Sequence, residues 1–112
     1  MALLKGTLDV LVLKALVASP RHGFEITRWI EEGSAGEIPI ESAALLQCLH
    51  RLEDRGFLSA DWGITANNRR ARYYTLTEPG QAHLIQETAT LRESVAALAT
   101  LLGFSVPIGS GR

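Results

Sequence analysis

Between Leu84 and Leu102 the residues Leu84, Thr88, Leu91, Val95, Leu98 and Leu102 fall in alternating steps of four and three. That spacing is the seam of a helix packed on another helix, and no strand can satisfy it. Thr77 suits the N-cap of this helix, Pro79 its first turn and Gly103 its end. A chain of 112 residues is one domain long and holds one modest core. Burying a leucine contributes roughly 1.5–3 kcal/mol, so a seam left in water forfeits a large stabilisation. The simplest cover is a second copy. The expected dimer interface is Leu84, Leu91, Val95, Leu98 and Leu102, with Val10 and Leu13 of the first helix taking part.

Ahead of the seam the spacing predicts three helices and a hairpin. The first runs from Thr7 to Ala18, stopped by Ser19-Pro20. It is apolar nearly all round: Leu8, Leu11, Val12, Ala15 and Leu16 on one side, Val10, Leu13 and Val17 on the other. Such a helix is covered on both sides. His22 to Ile30 forms the second, with Ile26, Trp29 and Ile30 inward, and Glu37 to Ile40 is a short extended link. The third spans Ser42 to Arg55, with Ser42 as N-cap, Leu45, Leu49 and Leu52 inward, and Gly56 at its end. Strands over Phe57–Trp62 and Arg70–Leu76 follow, joined by a polar loop. The expected fold is mainly α with a β-hairpin wing: a winged helix-turn-helix over residues 1–77, a C-terminal dimerisation helix over 78–103 and a flexible tail over 104–112.

Composition narrows the function. No apolar run approaches the roughly 20 residues of a spanning helix, and the first residues lack the features of a signal peptide. With the single cysteine Cys48, a reducing cytoplasm is expected. Cys48 lies beside the core stripe of the third helix with no basic group evident on its face, and reads as a small buried hydrophobe. His22, His50 and His83 lack ligand spacing, no catalytic motif is present, and neither metal nor cofactor is expected. Net charge is −1, so a nucleic-acid partner has to be met by local charge. From His50 to Arg72 there is a surplus of two positive charges, and from Glu78 to Phe104 a deficit of two.

Leu49-His50-Arg51-Leu52-Glu53-Asp54-Arg55-Gly56-Phe57-Leu58 and Asn67-Asn68-Arg69-Arg70-Ala71-Arg72-Tyr73-Tyr74-Thr75-Leu76-Thr77, followed by Gly80, resemble the signature of the PadR family of transcriptional regulators. Lys5-Gly6-Thr7-Leu8-Asp9 and Pro20-Arg21-His22-Gly23 are also similar to it. The short C-terminal part resembles the small subfamily with a single C-terminal helix. The resemblance implies a homodimeric repressor that binds double-stranded DNA. The family's usual Gly-Ser-Leu-Tyr-Pro is replaced by Ala43-Ala44-Leu45-Leu46-Gln47, removing a serine and a tyrosine expected near DNA. Some small members are similar to sensors that sandwich planar ligands between aromatic residues at the dimer centre. This chain has no tryptophan in its last helix, and any small-molecule effector stays unassigned.

The expected DNA contacts are Ser42, Ala43, Gln47, His50 and Arg51 on the third helix and Asn68, Arg69, Arg70 and Arg72 around the wing. Gln reads adenine and Arg reads guanine by paired hydrogen bonds in the major groove, which makes Gln47 and Arg51 the base readers. Guanidinium groups on a protruding loop suit phosphate oxygens. The alternative is a winged-helix dimer used as a protein-interaction module with weakened DNA contact.

Overall fold

The helices take most of their limits from local chemistry, in a computed structural model that describes residues 6–106. The expectations placed on Lys5 and on the tail beyond Val106 lie outside the described residues. Helix α1 spans Thr7–Ala15, three residues shorter than expected. The reason is an early closure: Leu16 and Val17 donate to the carbonyls of Leu13 and Lys14, and Arg21 Nε takes the Ala15 carbonyl at 2.7 Å. Arg21–His22 form a two-residue strand, β1, which the sequence reading missed. His22 then caps α2 (Gly23–Gly33) and is not its first helical residue. Its Nδ1 accepts from the Glu25 N–H at 3.4 Å while the Glu25 carboxylate accepts from the His22 N–H at 3.1 Å, a capping box built on histidine.

Helix α3 spans Ser42–Asp54. Ser42 is its first helical residue and not its N-cap; Glu41 holds that place without a side-chain cap bond. At the other end Gly56, at φ 81°, lets the Phe57 N–H reach the Leu52 carbonyl. Strands β2 (Leu58–Ile64) and β3 (Arg70–Leu76) pair antiparallel, from Leu58 opposite Leu76 to Ile64 opposite Arg70. β1 adds to the other edge of β3, giving the order β1-β3-β2. At the tip Asn68 adopts φ 63°, and the Thr65 N–H donates to the Arg69 carbonyl at 2.8 Å. Asparagine is among the few non-glycine residues that visit this region routinely.

The core is Val12, Leu13, Ile26, Leu49 and Leu52, closed by Leu58 and Tyr74 from the sheet. Leu13 is fully buried here, which corrects its assignment to a dimer interface: it has no surface to offer a partner. Leu84, from the first turns of α4 (Glu78–Leu102), is likewise buried in its own chain. That start is held tightly. Thr77 Oγ1 donates to the Gly56 carbonyl at 2.7 Å and accepts from the Gly80 N–H at 3.0 Å. A Cβ on Gly80 would lie 2.1 Å from the Phe57 carbonyl oxygen, so only glycine admits this approach. Further along, Leu98 is 40% exposed, Leu101 80% and Leu102 71%.

Candidate nucleic-acid interface

Helix α3 turns Leu45, Cys48, Leu49 and Leu52 inward, and this apolar stripe settles what faces out. Ala43, Gln47, His50 and Asp54 are exposed along the opposite face, and Ser42 is exposed at its start. On one flank Leu46 and Glu53, seven residues apart, face the wing side. Arg72 Nη2 donates to the Glu53 carboxylate at 2.9 Å, tying β3 to α3. On the other flank Cys48 and Arg51, one turn apart, both reach Asp9 of α1. Cys48 Sγ lies 3.1 Å and Arg51 Nη2 2.5 Å from the same oxygen, Oδ1. The Asp9 hydrogen bond raises the guanidinium pKa further above its usual value. Arg51 therefore belongs to the α1 flank of the exposed face, not to its centre.

The surroundings of Cys48 also differ from expectation. A basic group does stand on its face, Arg51, but the Asp9 carboxylate comes between. Burial, then the hydrogen bond and the negative charge of Asp9, push the thiol pKa up and outweigh Arg51. The thiol stays protonated, which suits a core residue. Burial also pushes up the Tyr74 phenol, with Arg72 opposing and Glu53 assisting.

A groove runs between the start of α2, the flank of α3 and the wing. Phe24, Arg28, Leu46, Arg69, Arg70 and Arg72 line it, with Glu25 the acidic residue among its lining. Four guanidinium groups line it against one carboxylate, and with Glu32 and Glu53, which pair with Arg28 and Arg72, the local surplus is one positive charge, carried at the wing, although the whole chain is not cationic. The arginines are not equivalent. Arg28 pairs with Glu32 at 3.2 Å, Arg72 with Glu53, and Arg70 stacks over Trp62 at 4.6 Å. Arg69 is exposed at the tip beside Asn68, with no acidic partner among the described residues. Sequence reasoning missed Phe24, Arg28 and Leu46, and the anchoring carboxylates Asp9 and Glu53. The seven-residue spacing of Leu46 and Glu53 was a readable signal of a shared flank. Nothing in the sequence pairs Asp9 with a residue 42 positions away.

Residues 12–86 match the Transcriptional regulator PadR-like family. The chain belongs to this family. Solved PadR-like structures share the fold. A transcriptional regulator from Clostridium thermocellum superposes with a TM-score of 0.78 at 22% identity, covering 86% of this chain and 90% of that one. A PadR family regulator from Eggerthella lenta reaches 0.74 at 28% identity, covering 88% and 83%. Bacillus subtilis PadR, solved in complex with operator DNA, gives 0.63 at 21% identity. The match covers 94% of this chain but 53% of that protein, so this PadR-like chain spans about half its length. The family is one of transcriptional regulators and not of enzymes. No helix among the described residues is long and apolar enough to cross a membrane.

Proposed function

We propose that this PadR-like chain is a homodimeric repressor that binds double-stranded DNA sequence-specifically. The observation that carries the reading is the cationic groove beside the exposed face of α3. Gln47 and His50 stand free on that face, with Arg51 at its flank and Arg69 and Arg70 on the adjoining wing. The face of one helix fits a major groove, and a wing beside it reaches phosphates. The operator complex of Bacillus subtilis PadR supports the same use of the fold.

Residues 1–77 form the DNA-binding unit in this reading and residues 78–103 the dimerisation helix. Support comes from the groove between α1 and the C-terminal part of α4. Val10, Leu91, Leu98 and Leu101 line it and leave apolar surface in water. A second α4 laid along it would bring two α3 helices to one duplex, as two-fold symmetric operators require.

Selection of bound sequences from a random DNA pool, followed by titration at several salt concentrations, tests the proposal. A consensus should emerge, and affinity should fall steeply with salt as counterions are released. Gln47→Ala or Arg51→Ala should cost on the order of 1–3 kcal/mol on the selected site and less on random DNA. No consensus from a folded dimer at low salt would favour the interaction module. The exposed Phe24 and Leu46 would then be its contact residues.

A further inference from the structure

Asp9 is a half-buried acid on α1 that the DNA-binding reading does not use. Its Oδ1 accepts from two groups on α3, Cys48 beneath it and Arg51 at the surface. The side chain of Asp9 is 18% exposed and that of Arg51 is 51% exposed. The carboxylate is thus fixed from below while the guanidinium projects past it. An arginine is a long, rotamer-rich side chain, and a free one loses that freedom when it docks on a base. Here the ordering is done before DNA arrives.

We propose that Asp9 is a positioning residue for base recognition, acting through Arg51. The proposal rests on the reading of α3 as the helix that enters the major groove. The hydrogen-bond inventory allows it. A guanidinium carries five N–H donors, and the contact to Asp9 uses Nη2. The remaining donors can still meet the O6 and N7 acceptors of a guanine in pairs. Asp9 also sets where the fork points, because both its partners lie on one turn of α3. An acid held near phosphates would ordinarily repel DNA. Paired with Arg51 its charge is compensated, and the pair presents a directed set of donors with little net field. Specificity is then gained at small cost to non-specific affinity.

The test uses the full chain as a folded dimer, with wild type, Asp9→Asn, Arg51→Ala, the double variant and Arg51→Lys taken through selection and titration. Asp9→Asn keeps the shape and an acceptor for the thiol but removes the charge that holds Arg51. Its affinity for the wild-type consensus should fall about fivefold or more, the lower end of what a base contact is worth. Loss should concentrate at the position that Arg51→Ala degrades, with little further loss in the double variant. Arg51→Lys keeps the charge but not the fork, and should lose preference at the same position. The inference is overturned if Asp9→Asn leaves affinity and consensus unchanged, raises affinity, or adds fully to Arg51→Ala. If Asp9→Asn does not fold, Asp9→Ser goes through the same selection, and an unchanged preference at the position that Arg51→Ala degrades overturns the inference. No consensus from the wild type removes the underlying DNA reading instead, so the two failures are told apart.

Discussion

The two ends of the molecule carry similar densities of leucine and treat them in opposite ways. In the winged unit Val12, Leu13, Ile26, Leu49 and Leu52 are at most 2% exposed. In the last turns of α4, Leu98, Leu101 and Leu102 are 40–80% exposed. The difference is geometric. Three helices and a sheet surround one point, whereas α4 is 25 residues long, about 37 Å, and outruns the elements beside it. Apolar spacing says that a residue needs cover. It does not say whose.

The largest expected effect tests whether that cover is a second copy. Leu91→Asp together with Leu98→Asp places charge at the open groove and should abolish the dimer, because a charge taken out of water without a partner is very costly. The winged core does not use these side chains, so a monomer with native helix content is expected by sedimentation and circular dichroism. An intact dimer would mean that α4 finds its partner elsewhere. Next in size is a substitution on the closed side. Leu52→Ala should cost about 2–5 kcal/mol, as deletion at a fully buried site does. That loss should persist at every protein concentration. Leu98→Ala should instead give a melting temperature whose change depends on concentration, the mark of linkage to assembly. If both behave alike, the contrast between the two ends is wrong.

A smaller effect concerns the wing. Each phosphate contact contributes about 0.9 to the slope of log affinity against log salt. Arg69→Ala should flatten the slope by about that much, because no acidic partner holds Arg69 among the described residues. Arg72→Ala should flatten it less, since Arg72 is already paired with Glu53. Equal changes would show that the Glu53 pair opens on DNA. No change from either would take the wing out of the contact surface.

Much of the fold was legible because it is written in local chemistry. Thr77, Pro79 and Gly103 bound α4, and Gly56 ends α3, each through a requirement of one helix terminus. The exposed face of α3 followed from the stripe of Leu45, Leu49 and Leu52 by the same logic. What escaped was settled across the chain. β1 is two polar residues that become a strand only because β3 offers an edge. Leu13 read as an outer residue of α1, yet the other elements close over it. Arg51 read as a free base reader, and its partner Asp9 lies on another helix. Local rules reach helix ends and faces. Which side chain meets which across the core is a property of the assembled whole.

The smallest expected effect lies where the two sides of α3 meet, at Cys48. Its thiol pKa is raised by burial and by Asp9, whereas in the unfolded chain it titrates near 8.5. The sign follows from proton counting. Above that pH the unfolded state releases a proton that the folded state keeps, so stability is complete below about pH 8 and falls as pH rises. The limiting slope for one group is about 1.4 kcal/mol per pH unit. Denaturant titrations from pH 7.5 to 9.5 should show the decline begin before the tyrosines titrate. Cys48→Ala should remove most of it, and alkylation of the native thiol should be slow. A decline that survives Cys48→Ala would assign it to another group. Rapid alkylation of the folded protein would show that Cys48 is reachable and that α1 does not stay closed over α3 at Asp9.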